Sequence, residues 1–234
     1  MLDSLHQLDN QILLCINGHY PPFWDCFMWI VSAKETWIVM YISLFFVLLR
    51  NFSLRVSLII LASIILTLVF TDQVCASLIR PMAERMRPSN INNPISSYVY
   101  LVNGYRGGSY GMPSCHSANT FGLAFIMIML LRKKLLSTAL ILWACLNCYS
   151  RMHLGVHYLG DLICGMLVAL VGAFLIYRSM RYMMNNESFR TAIKVNEHDF
   201  NLLSHKEECI LCFIPVGVLL FTIILVALYA QFLG

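Results

Sequence analysis

Charge is what this chain has least of. Only 12% of its 234 residues are Asp, Glu, Lys or Arg, against about 25% in a soluble domain. With 59% hydrophobic residues and a mean hydropathy of +0.71, a soluble domain with one anchor is excluded and an integral membrane protein is expected. The net charge of +4 gives no reason to expect a nucleic-acid partner. Lys and Arg are missing from the first 33 residues and again after Lys206. The N-terminus thus lacks the basic segment of a cleavable signal, and the first spanning helix is expected to insert and stay. Internal repeats and low-complexity segments are absent, and there is no room for a second sizeable domain. Nine cysteines are present, but Cys75, Cys145, Cys148, Cys164 and Cys212 lie inside apolar runs, where a thiol behaves as a small apolar side chain. Cys145-x-x-Cys148 and Cys209-x-x-Cys212 have redox or zinc spacing without a second pair nearby, so they read as filler.

The first segment places Leu2, Leu5, Leu8, Ile12 and Leu13 at helical spacing, with Asp3, His6, Asp9 and Asn10 on the other face. A helix this short and polar is expected to lie on the membrane surface rather than cross it. Asn17-Gly18 and Pro21-Pro22 end it. Six spanning candidates follow, roughly 27–49, 55–78, 117–131, 135–150, 160–177 and 209–232. The third and fourth are short for a hydrocarbon core of about 30 Å. The fold class expected is all-α, an integral membrane bundle of six transmembrane helices with an N-terminal amphipathic interfacial helix. Residues 1–22 form the interfacial unit, 23–180 the core, 181–208 a cytoplasmic polar segment and 209–234 an additional spanning helix. Basic residues mark the cytoplasmic loops: Arg50 and Arg55, then Arg132 to Lys134, then Arg178, Arg181, Arg190, Lys194 and Lys206. Both termini then fall on the far side.

On that far side sit three clusters at the ends of apolar runs. They are Arg80 to Pro88, Pro113-Ser114-Cys115-His116, and Ser150-Arg151 followed by His157 and Asp161. Polar and ionisable groups beside lipid are costly, which makes function the first reading. His157 and Asp161 are four apart and share a helical face. The carboxylate can take a proton from one ring nitrogen and leave the other nucleophilic. Taken alone, the pair reads more readily as a solvated helix end. Pro113 and Ser114 suit a helix start, and the N–H groups there make an anion site beside which His116 can protonate a leaving oxygen. Capping alone explains the same residues. Guanidinium groups bind phosphate oxygens in pairs. Snorkelling explains any one arginine, but explains three on the translocated side poorly. Arg85 and Arg106 are expected to make supporting or headgroup contacts, His153 packing or headgroup contacts. Carboxylates on this side are sparse (Glu84, Asp161 and Asp72), so no metal and no cofactor is expected.

In order, these spacings resemble the type 2 phosphatidic acid phosphatase superfamily of membrane phosphatases. Its members carry Lys-x6-Arg-Pro, then Pro-Ser-Gly-His, then Ser-Arg-x5-His-x3-Asp. Here the series reads Arg80-x6-Arg87-Pro88, Pro113-Ser114-Cys115-His116 and Ser150-Arg151-x5-His157-x3-Asp161. The resemblance covers about residues 25–180 and departs at Arg80, where the family has lysine, and at Cys115, where it has glycine. A positive φ at Cys115 would cost about 1 kcal/mol or more. A nucleophilic role for this thiol is disfavoured, because phosphocysteine enzymes place an arginine six residues on and this chain has Phe121.

The resemblance implies a metal-independent lipid phosphatase. His157 attacks phosphorus, Asp161 orients it, His116 protonates the leaving oxygen, and Arg80, Arg87, Arg151, Ser114 and the Cys115 N–H hold the phosphate. The segments 104–111 and 117–122 look like those of bacterial polyprenyl-diphosphate and lipid A phosphatases. The expected substrate is therefore undecaprenyl diphosphate or a lipid A phosphate, with phosphatidylglycerol phosphate or phosphatidate as alternatives. The expected place is a bacterial inner membrane, with the site facing the periplasm and no obligate protein partner. Two readings of other classes remain. A transporter would string polar residues through the bilayer midplane, whereas here they gather at one edge. A lipid-binding scaffold without turnover is kept open by Cys115.

Overall fold

The computed structural model describes residues 2–18 and 20–233. Met1, His19 and Gly234 lie outside the described residues, as do the side chains of Leu2 and Asp3 that the periodicity assigns to the two faces of the first helix. Among the described residues the chain is helical, with a single β-bridge between Met86 and Tyr110.

Helix α1 spans Leu2–Ile16. Leu13 is buried while Leu5 and Leu8 stay exposed. Asn17 ends α1 and pins it. Its side-chain amide donates to the carbonyls of Tyr100 (2.8 Å) and His153 (2.7 Å), and its oxygen accepts from the Tyr100 N–H (2.8 Å). The expected first span, 27–49, is broken. Helix α2 (Pro22–Ser32) and α3 (Ile38–Asn51) meet at a 69° bend through the 3₁₀ turn Lys34–Trp37. Extended backbone at Ala33 stops α2, and its freed carbonyls find side-chain donors: Thr36 Oγ1 reaches Ile30 at 2.6 Å and Trp37 Nε1 reaches Val31 at 3.0 Å. Those bonds satisfy orphaned groups that a spanning helix cannot leave bare.

Helix α4 (Leu54–Ala83) carries a π turn at Val74–Ile79. Its 30 residues exceed what a bilayer crossing needs at about 1.5 Å per residue. Helices α5 (Cys115–Leu131), α6 (Lys134–His153), α7 (Leu159–Asn185) and α10 (Phe213–Leu233) complete the bundle. Between α7 and α10 lie two short helices, α8 (Glu187–Ile193) and α9 (Glu197–Leu203), within the segment the sequence marks as polar. Buried Asp199 ties α9 to the α3–α4 turn by accepting from the Ser53 N–H (2.9 Å) and Oγ (2.5 Å). Three helices, α4, α7 and α10, are long and apolar enough to cross a membrane, and the bent α2–α3 pair makes a fourth if it counts as one span. Helix α5 is apolar but short, with 17 residues, and α6 carries Arg151 and His153 in its last turn.

Helix α5 is the centre, with buried residues around its whole circumference, as expected of a helix that faces protein on every side. It packs most closely on α7, where Gly165, Ala169 and Ala173 form a stripe of small residues at four-residue spacing. A Cβ on Gly165 would stand 3.1 Å from the Ser117 Cβ, 3.2 Å from the Ala118 N and closer still to the Ser114 carbonyl. Gly165→Ala should therefore destabilise the bundle by about 1–3 kcal/mol. The check is a lowered thermal midpoint in detergent, with a loss of activity because Ser114 leads directly into the site.

Candidate active site

His157 sits in the turn between α6 and α7, 2% exposed, and Asp161, in the first turn of α7, is fully buried. The Tyr158 N–H donates to Asp161 Oδ2 at 3.1 Å, closing a capping box that fixes the carboxylate next to the ring. His157 Nδ1 lies 3.3 Å from the same oxygen, and Nε2 lies 2.8 Å from Arg87 Nη1. A guanidinium only donates, so Nε2 must carry the lone pair and Nδ1 the proton. That tautomer is the one a nitrogen nucleophile at Nε2 requires. Burial first, then the charges of Arg87, Arg151, His116 and Arg80, hold the His157 pKa well below the ordinary histidine range.

Arg87 lies in the long connection between α4 and α5. The bridge of Met86 to Tyr110 and the bond from the Arg87 N–H to Ser109 O (3.1 Å) place it over the site. Its Nε donates to Tyr110 O and its Nη1 to Val156 O, each at 3.1 Å. Burial, with Arg151 and Arg80 nearby, lowers its pKa to about 10, which leaves it charged at neutral pH. Gly111 is needed by close approach, since a Cβ there would meet Asp161 Oδ2 at 2.8 Å and Arg87 Cγ at 3.1 Å. The connection is also closed by Arg106, which donates to Ser89 O at 2.7 Å.

The second cluster opens α5. Arg80 Nη2 donates to Pro113 O and to Cys115 Sγ, both at 2.9 Å. Cys115 is the first helical residue and is not among the residues with positive φ, so the strain that a positive φ would bring does not arise. Ser114 is fully buried and acts as the helix cap: its Oγ accepts from the Ser117 N–H at 3.4 Å, and its N–H is engaged by Asp161 O at 3.0 Å. The Nε2 of His116 is buried without a partner among the described residues, as are Nε of Arg80 and Nε of Arg151. Arg151 donates to Ser32 Oγ at 2.5 Å. His116 and Arg151 stand at the polar end of a cavity of about 670 Å³, whose walls are mostly apolar (Leu44, Leu48, Ile64, Leu68, Leu123 and Trp143 among them). Lys34 and Glu35, at the bend before α3, also line it.

The structure therefore brings Arg80, Arg87, Cys115, His116, Arg151, His157 and Asp161 to one end of the bundle, with Ser114 just behind them. His153 packs, as the sequence suggests: it is 2% exposed, lies 2.9 Å from Asp25 Oδ1 and stacks near Tyr20. Gly155 and Gly160, on either side of His157, let protein approach closely. Cβ atoms there would meet the Tyr100 carbonyl (2.9 Å) and Asp9 Oδ2 (2.6 Å). Sequence reasoning missed Asp25, which also accepts from Tyr100 Oη at 2.7 Å, and missed Asp9. Neither belongs to a motif, and nothing in its spacing sets it apart.

The PAP2 superfamily matches residues 52–185. The chain is 48% identical over 177 residues to a lipid A 4'-phosphatase of Bacteroides thetaiotaomicron, an alignment covering 76% of this chain and 79% of that protein. It is 32% identical over 181 residues to a lipid A 4'-phosphatase of Porphyromonas gingivalis, covering 77% and 76% respectively. No solved structure matches.

The depressed His157 pKa has a definite sign. The unfolded chain takes up this proton near pH 6.5 while the folded chain refuses it. The neutral ring thus contributes stability above that pH, lost as pH falls below it. Nitrogen NMR of the His157 ring should show the Nδ1–H tautomer and a midpoint well below 6.5. Protonation at or above 6.5 would contradict the arrangement.

Proposed function

The chain belongs to the PAP2 superfamily and is a phosphoric ester hydrolase of the membrane, and from that premise we propose that it removes the 4'-phosphate of lipid A at the periplasmic face of a bacterial inner membrane. The observation that carries the reading is the convergence of three guanidiniums and two imidazoles, from three separate stretches of chain, at one end of the bundle, where His116 and Arg151 also line an apolar cavity. An apolar pocket of this size with a few polar groups at one end suits a small amphipathic ligand or part of a larger one, and a lipid phosphate divides in the same way. The two relatives favour lipid A over undecaprenyl diphosphate. The basic loops favour six crossings, counting the bent α2–α3 pair, α5 and α6 as spans, with α1 on the membrane surface and the site turned outward.

Arg80, Arg87 and Arg151 hold the equatorial oxygens, together with the open first turn of α5. Nε2 of His157 attacks phosphorus in line. The P–N bond forms as the bond to the sugar oxygen breaks, and His116 gives that oxygen a proton. Asp161 stabilises the positive charge that develops on the ring. His116 then takes a proton from water, which attacks the phosphohistidine and releases inorganic phosphate. Arg87 leaves Nε2 for the phosphate when substrate enters, uncovering the lone pair it guards in the resting state. Placement and charge do most of the work in phosphoryl transfer, and no metal takes part.

Phosphate release from purified protein tests this, comparing lipid A 4'-phosphate, undecaprenyl diphosphate and phosphatidylglycerol phosphate with a chelator present. Lipid A should be preferred and the chelator without effect. Magnesium dependence would sink the mechanism. His157→Ala should abolish turnover, and Arg87→Ala should lower it by about 10²-fold or more, by analogy with a lost oxyanion donor.

A further inference from the structure

Asp161 is fully buried and both its oxygens are occupied. Oδ2 faces His157 Nδ1 and the Tyr158 N–H, while Oδ1 accepts from Arg85 Nη1 at 3.1 Å. Arg85 does not stop there. Its Nη2 donates to Asp9 Oδ2 at 2.7 Å, and its guanidinium lies over the Tyr158 ring, 4.2 Å from the centroid. Asp9 in turn accepts from the Gly160 N–H at 3.0 Å, one residue before Asp161. A Cβ at Gly160 would meet Asp9 Oδ2 at 2.6 Å and Arg85 Nη1 at 3.0 Å, so a larger residue would push this pair aside. The backbone of Arg85 is held as well, its carbonyl accepting from the Gly111 N–H at 2.9 Å.

We propose that Arg85 and Asp9 are positioning residues for the reaction, acting on His157 through Asp161. The inference rests on the assignment of His157 as nucleophile. A buried carboxylate gripped at one oxygen only can rotate away from its imidazole. Arg85 fixes Oδ1 and so aims Oδ2 at Nδ1. Asp9 has two jobs. It ties the guanidinium to the start of α7, and it supplies a second negative charge. Asp9, Arg85 and Asp161 together carry a net charge of −1, as Asp161 would alone. Without Asp9, the Arg85 charge would cancel the field that Asp161 exerts on the ring. Arg85 is thereby set apart from Arg80, Arg87 and Arg151, none of which is paired with a carboxylate within salt-bridge distance among the described residues. Asp9 belongs to α1, which lies outside the matched residues 52–185 and turns Leu5 and Leu8 outward. The helix assigned to the membrane surface is thus joined to the nucleophile by three consecutive polar contacts.

The test uses the full-length protein with lipid A 4'-phosphate as substrate and vanadate as a probe of the phosphate cradle. Arg85→Gln should lower kcat about 10- to 100-fold, the loss typical of an outer partner that orients a reacting group, with KM and vanadate inhibition within about threefold of wild type. Asp9→Asn should lower kcat in the same way and Asp9→Glu should recover most of it. The double variant should be no worse than Arg85→Gln, because residues acting as one unit are not additive. Arg85 is buried enough that its loss can disturb folding, so Asp9→Asn, at the more accessible end, serves as the second reading. A wild-type kcat in Asp9→Asn or Arg85→Gln overturns the proposal. So does an equal loss of kcat and vanadate binding in Asp9→Asn, which marks a structural role. His157→Ala separates the two levels. If it keeps turnover, the nucleophile assignment fails and this inference with it. If it is inactive while both variants remain unimpaired, only the positioning roles fall.

Discussion

Guanidinium groups repel one another, and burial sharpens the repulsion. Arg87 shows both effects, its pKa held to about 10 by burial and by Arg151 and Arg80. Such a cluster beside hydrocarbon is an unfavourable arrangement that the rest of the fold must hold in place. Backbone carbonyls do much of that: Pro113 for Arg80, Tyr110 and Val156 for Arg87. Carbonyls satisfy the donors without neutralising the charge, so the positive field remains available to an anion. A carboxylate in their place would fill the site with its own counterion.

The same field bears on the state of His157. Burial, joined by the charges of Arg87, Arg151 and Arg80, keeps His157 neutral, and Arg87 points a donor at its Nε2. The Arg87 contact thus helps to repel the proton and selects the tautomer. The anions near the site are kept on the other side of the ring. Asp161 and Asp9 lie behind His157, with Arg85 between them. The ring of His157 thus stands between the carboxylates and Arg87.

Packing serves this separation. The stripe Gly165, Ala169 and Ala173 lets α7 approach α5 closely, which brings Ser114 to the Asp161 carbonyl and joins the second cluster to the third. The first cluster is joined by the bridge between Met86 and Tyr110. The bend at Ala33 carries α2 past Arg151 and leaves the cavity between α3, α4, α5 and α6.

The residues of the site were legible in the chain because each belongs to a local spacing. His157 and Asp161 are one helical turn apart, Ser114 precedes an apolar helix, and Arg80 and Arg87 flank the end of another. A membrane protein was legible from how little charge there is, and the helices from long apolar runs, since a backbone in lipid has few other ways to satisfy itself. The break in the first span was not legible, because it depends on Thr36 and Trp37 reaching back to carbonyls, a matter of side-chain geometry rather than composition. Nor was the cavity, which is the space left between four helices. Asp9 and Arg85 are 76 residues apart, as are Arg85 and Asp161. Periodicity reports which face of its own helix a residue occupies. Only the packed structure sets which residue of another helix stands opposite, because that register depends on every side chain between them.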